Sequence, residues 1–149
     1  MVAVTFLLGA VLISLGILGG YVTGKIAKEE VKHGLLYFDI LQDIILALII
    51  FLLLHVFRYH WIAIVAGAIL IITIFKIKEV KYTYVIYALF AGIWFIGFAS
   101  TIPLEFATLL LLYGVPTGTL LWYKKNKTSL AITPAIFLGV TLLLTIMFL

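Results

Sequence analysis

Asp39 and Asp43 stand one helical turn apart in VKHGLLYFDILQDIILALIIFLLLHVF (residues 31–57), a stretch that otherwise has the length and apolarity of a membrane-spanning helix. From Gly34, where the apolar run starts, Asp43 lies nine residues on. At 1.5 Å per residue that is roughly 13 Å deep, near the middle of a hydrocarbon layer of about 30 Å. A carboxylate at that depth costs on the order of 3 kcal/mol by insertion scales. A partner, a bound proton or cation, or a water-filled cavity is therefore expected beside it. Two carboxylates on one face in a low dielectric do not both ionise unless a cation is close.

Three chemistries fit the pair. In the first, Asp43 glues helices together by hydrogen bonds to hydroxyls such as those of Thr117, Thr119 or Tyr113. In the second, Asp43 is the central carboxylate of a proton or cation pathway, with Asp39, His33 and Glu29 leading to the cytoplasm. In the third, the two aspartates share a divalent ion in a lipid-modifying enzyme. The aspartate-rich signatures of prenyl and CDP-alcohol transferases need a second acidic cluster that this chain lacks. Glu29 and His33 also have a metal-ligand spacing, which is common on solvated helices. No zinc-protease, serine-hydrolase or P-loop motif occurs, so an enzyme is the weakest of the three readings and no cofactor is implied.

The elements that must position these residues follow from composition. The chain has 149 residues, 66% hydrophobic and 11% charged, with a mean hydropathy of +1.33. Soluble domains carry about 25% charged residues, so no water-facing surface can be built from this supply. An all-α integral membrane protein of one domain is expected. Its six transmembrane spans fall near residues 2–23, 34–57, 62–75, 84–99, 104–122 and 129–149. The first span lacks a basic leader and a small-residue cleavage site and reads as retained. There is no cysteine, which removes disulfides, thiol nucleophiles and cysteine-ligated metal. Only Gln42 and Asn126 carry side-chain amides, and Lys and Glu supply most of the charge. That pattern leans towards a thermophilic prokaryote.

Each span has local features. Gly16, Gly20 and Gly24 are spaced by four, with Gly9 a heptad before Gly16, so the first span has a small-residue face for close helix packing. That packing is open between a partner helix of the same chain and a homodimer. GKIAKEEVKH (24–33) reads as a helical collar continuing into the second span. At 100° per residue Glu29, Lys32, His33, Asp39, Asp43 and later Arg58 share a sector of roughly 120°, giving a polar stripe interrupted by Leu36, Ile40 and Ala47. Ser100 to Pro103 ends one helix and starts the next, and Glu105 then lies in a first turn, where the helix dipole favours an acid. In the fifth span, Tyr113-Gly114-Val115-Pro116-Thr117-Gly118-Thr119 is expected to kink or open the helix at Pro116. Interrupted helices are where secondary transporters place ion sites.

The net charge of +4 follows topology, with no patch suited to nucleic acid. Lys25, Lys28 and Lys32, then Lys76, Lys78 and Lys81, then Lys124, Lys125 and Lys127 occupy the odd loops, and Arg58 alone the even ones. This places the odd loops in the cytoplasm and both termini outside the cell membrane. Three spans plus three would give halves of opposite orientation and permits an inverted repeat, although the halves share no residue match. The expected functions are a proton- or cation-linked transporter or channel, a non-transporting subunit of a membrane complex, and, third, a metal-dependent lipid enzyme.

Overall fold

The computed structural model describes residues 2–56 and 83–148. They form five α-helices: α1 (Val2–Ile26), α2 (Lys28–Val56), α3 (Thr83–Ala99), α4 (Pro103–Tyr123) and α5 (Lys127–Phe148). Four of them, α1, α2, α4 and α5, are long and apolar enough to cross a membrane, and α3 is a shorter apolar helix of 17 residues. The span expected at 62–75, Arg58 and the lysines at 76, 78 and 81 lie outside the described residues.

The helices distribute polarity as lipid demands. Large aliphatic side chains point outward, among them Leu8 (60% exposed) and Leu12 (57%) on α1 and Leu143 (59%) on α5. Eight hydroxyl residues among the described ones are buried instead, Ser14, Thr117, Thr119, Thr133 and Thr141 among them. Water would penalise such exposed leucines, whereas hydrocarbon makes inward hydroxyls the economical choice. The architecture is compatible with a multi-pass membrane protein.

Side-chain meetings fix the helix directions. Gly16, Gly20 and Gly24 of α1 meet Leu111, Val115 and Trp122 of α4 in that order, so α1 and α4 are parallel. Gln42 of α2 reaches Thr117, whereas Leu48 to Leu52 face Leu104 to Leu109, so α2 is antiparallel to α4. On α3, Tyr87 and Phe90 meet Tyr113, and Gly97 meets Phe106, so α3 is antiparallel to α4 as well. It follows that α2 ends and α3 begins at opposite ends of the bundle. The turns at 26–28 and 124–126 lie at one end, and the 100–102 turn lies at the other.

These turns have simple causes. Ala27 is a single bend held by hydrogen bonds on both sides, Ala27 N–H to the Thr23 carbonyl (2.9 Å) and Val31 N–H to the Ala27 carbonyl (3.0 Å). The charged collar thus joins α2 directly. Between α3 and α4 the Ser100 hydroxyl donates to the Gly97 carbonyl at 2.6 Å and accepts from the Ile102 amide at 3.2 Å. Pro103 then opens α4 where its missing N–H has no partner to lose.

The glycine face of α1 is buried within the chain. A methyl group on Gly16 would collide with the Leu111 carbonyl, and one on Gly20 with the Val115 carbonyl. Gly114 and Gly118 of α4 answer reciprocally, lying against the backbone of Gly16 and Ile17. Four glycines on two parallel helices therefore bring backbone onto backbone, and a second copy cannot use this face without displacing α4. Across the seam the Thr119 hydroxyl donates to the Gly20 carbonyl (2.9 Å) and to its own Val115 carbonyl (3.0 Å). Thr119→Val is isosteric and leaves both carbonyls with helical partners. It should cost only about 0.6 kcal/mol, the average for interhelical bonds in membranes, read as a small shift in unfolding in detergent.

At the opposite end an aromatic cluster ties α3 to α1. The Trp94 indole stacks on Phe6 at 5.7 Å and donates to the Phe6 carbonyl at 3.2 Å. Phe95 and Phe98 close on Phe6 edge-on. Gly9 makes room for the indole, since a Cβ there would strike its ring.

Candidate functional site

The inner face of α2 is set by its apolar residues: Val31, Ile45, Leu46, Ile49 and Ile50 are buried. Gln42 falls at the centre of that arc, while Asp43 sits about 100° round from it. Accordingly Asp39 and Asp43 are half-buried at the edge of the face, and Glu29, Lys32 and His33 are exposed. The polar stripe expected from the charges does not face the interior as a unit. Its collar half is solvated, and only the two aspartates reach the bundle.

Where α2 crosses α4 a polar group forms. The Gln42 amide donates to the Thr117 hydroxyl at 2.9 Å, and that hydroxyl donates to the Tyr113 carbonyl one turn back at 2.8 Å. Asp43 lies within electrostatic reach of the Tyr113 hydroxyl, beside which the Gln42 amide also sits. From α3, Tyr87 brings its ring to 6.2 Å from that of Tyr113. Its hydroxyl comes near Thr117 and is buried without a hydrogen bond of good geometry. Tyr87 and Thr117 are 0% and 2% exposed, so the bundle encloses the tyrosine–threonine end of this group, while Gln42 and Asp43 are half-buried.

Of the kink or opening expected at Pro116, the opening is not what the helix shows. The helix runs continuously from Pro103 to Tyr123 with Pro116 inside it. Proline removes one backbone bond there. The hydroxyls of Thr117 and Thr119 add bonds to the nearby Tyr113 and Val115 carbonyls. Gly114 and Gly118 serve the close approach of α1, so residues that read as breakers act as spacers.

Glu105 is not brought to this group. It is exposed in the first turn of α4, twelve residues before Thr117 and thus about 18 Å along the helix. There it borders an apolar groove of about 460 Å³ with Leu48, Phe51, Leu104 and Leu109. Among the described residues no three His, Asp or Glu side chains gather where a metal could be held. A divalent ion would have Asp39 and Asp43 as its protein carboxylates.

Sequence reasoning missed three features. Gln42 is the inter-helix link, yet it stood out only as a rare amide. Tyr87 was not singled out at all. On α5, Ser129, Thr133, Thr141 and Thr145 are buried along one stripe, with Phe137 filling the middle place of the i,i+4 row. The hydroxyls of Thr141 and Thr145 donate back to the carbonyls four residues before, whereas Thr133 has no partner. That spacing was visible in the sequence. No family model, curated protein or solved structure matches this chain.

Proposed function

We propose that this chain is a small proton- or cation-linked transporter or channel in the cell membrane, with Asp43, Tyr113, Gln42, Thr117 and Tyr87 as the intramembrane polar path. The observation that carries the reading is the buried, unpartnered Tyr87 hydroxyl beside Thr117. A buried hydroxyl without a partner costs about 1–3 kcal/mol, and a packing role alone would be better served by phenylalanine. Water or a hydrated ion visiting the site would satisfy it. Buried hydroxyls of Thr83, Ser129 and Thr133 continue polarity towards the lysine-rich end. The Phe6, Trp94 and Phe98 cluster closes the other end.

Six spans complete the proposal. The reading is supported by the opposite placement of the end of α2 and the start of α3, which calls for a crossing between them. Lys25 and Lys28 lie at the same end as Lys124, Lys125 and Lys127, the placement expected of cytoplasmic loops. The second and fifth spans, α2 and α4, are antiparallel neighbours, as a three-plus-three inverted arrangement would require.

One observation favours a second reading. The Gln42–Thr117 bond is the kind of inter-helix link that needs no transport to explain it. Under that reading the chain is a non-transporting subunit or assembly partner, and its polar stripe with Asp43 is helix-packing glue. Tyr87→Phe separates the two. Imposed proton, sodium and potassium gradients across proteoliposomes should dissipate more slowly in the variant, while its thermal stability holds or rises. Equal flux in the two proteins removes Tyr87 from any pathway. Absence of flux from the wild type leaves the subunit reading.

A further inference from the structure

The end of the bundle that carries the lysines holds a second cavity, of about 400 Å³, lined by Tyr21 of α1, Trp122 and Tyr123 of α4, and Lys125 and Lys127. Its walls are fixed by packing. Gly24 seats the Trp122 side chain on α1, with a Cβ position only 3.2 Å from the indole. The three-residue turn that presents the lysines is closed by its own hydrogen bonds. Lys125 N–H donates to the Trp122 carbonyl at 3.0 Å, Asn126 N–H to the Leu121 carbonyl at 3.1 Å, and Asn126 Oδ1 accepts from the Ser129 amide at 3.0 Å. Lys125 takes a left-handed backbone conformation, φ 53°, where glycine would be the unstrained choice. The turn thus holds a lysine at a position that disfavours one.

We infer that this cavity is a binding site for the phosphate of an anionic phospholipid headgroup. Two ammonium groups two residues apart supply the charge, and no carboxylate lines the cavity among the described residues. Tyr and Trp are the side chains that settle at the headgroup level of a bilayer, and basic pockets between helices at that level hold anionic headgroups. Exposed Leu18 and Val22, on either side of Tyr21 along α1, provide an apolar track for the acyl chains. The site is independent of the proposed transport path, on which neither lysine lies.

Native mass spectrometry of the detergent-solubilised chain tests this with phosphatidylglycerol, phosphatidylcholine of the same acyl chains, and inorganic phosphate as probes. The wild type should retain phosphatidylglycerol in preference to phosphatidylcholine. Two lost charges should weaken that binding roughly tenfold to thirtyfold in Lys125→Gln/Lys127→Gln. Lys28→Gln/Lys32→Gln, which changes the collar equally in charge, should keep the preference. Should the double variant lose its helical circular dichroism, Lys127→Gln alone carries the test, with a loss of roughly fivefold. The assignment is overturned if the preference survives the cavity variants, or if the collar variant loses as much. It also fails if inorganic phosphate at the lipid's concentration displaces the lipid, since the site would then belong to free phosphate.

Discussion

Gly20→Val should dismantle the bundle, whereas Gly19→Val, one residue away, should leave it intact. The two positions are adjacent on α1 and face about 100° apart. A side chain on Gly19 meets nothing within 4 Å, while a Cβ on Gly20 lies 2.7 Å from the Val115 carbonyl carbon and collides with its oxygen. The obstacle is backbone, which cannot rotate out of the way as a side chain would. α1 and α4 would have to separate, losing the Thr119–Gly20 hydrogen bond and the fit of Gly118 on Ile17 in the same step. Overpacking a core costs about 1–3 kcal/mol when side chains can yield, so about 3 kcal/mol or more is expected here. Against a total stability of about 5–15 kcal/mol that is a large loss. Gly19→Val should stay within about 0.5 kcal/mol of the wild type. Thermal unfolding in detergent, followed by circular dichroism, reads both, and equal melting of the Gly20 variant and wild type would refute the intrachain seam.

That seam shows what the sequence could and could not carry. The spacing of Gly16, Gly20 and Gly24 announces a close-packed face whatever it meets. Its partner was hidden because Gly114 and Gly118 flank Pro116, and all three residues also signal a broken helix. Local chemistry cannot choose between a break and a spacer. The choice is made by α1, whose backbone needs the room. Helix limits were legible where a turn has its own chemistry, as at Ser100 to Pro103. The inward arc of α2 was not legible for a different reason. Charges mark where a helix avoids lipid only when they outnumber the apolar residues competing for the interior. In α2, Ile45, Leu46, Ile49 and Ile50 decide the orientation, and they carry Gln42 inward and leave Asp43 at the edge. The α5 hydroxyl row was missed because threonine and serine weigh little in a hydropathy reading, although only their spacing places them inside.

Asp43→Asn should bring ion flux in proteoliposomes down to that of protein-free vesicles while preserving the fold. Asparagine has nearly the same shape and hydrogen-bonding reach, so contacts near Tyr113 can be remade, but it can neither release a proton nor attract a cation. The structural cost of the aspartate runs the other way. A carboxylate at this depth is unfavourable by on the order of 3 kcal/mol on insertion scales, so a helix-packing role would be met as well or better by the amide. Stability should therefore hold or rise in Asp43→Asn. In Gln42→Leu, which removes the donor to Thr117, it should fall by about 0.6 kcal/mol, up to about 1.7. The two variants thus move stability and flux in different combinations, and transport requires the Asp43 effect to appear in flux alone. If Asp43→Asn conducts as the wild type does, the carboxylate is not on the path, and its interactions beside Tyr113 are those of helix packing.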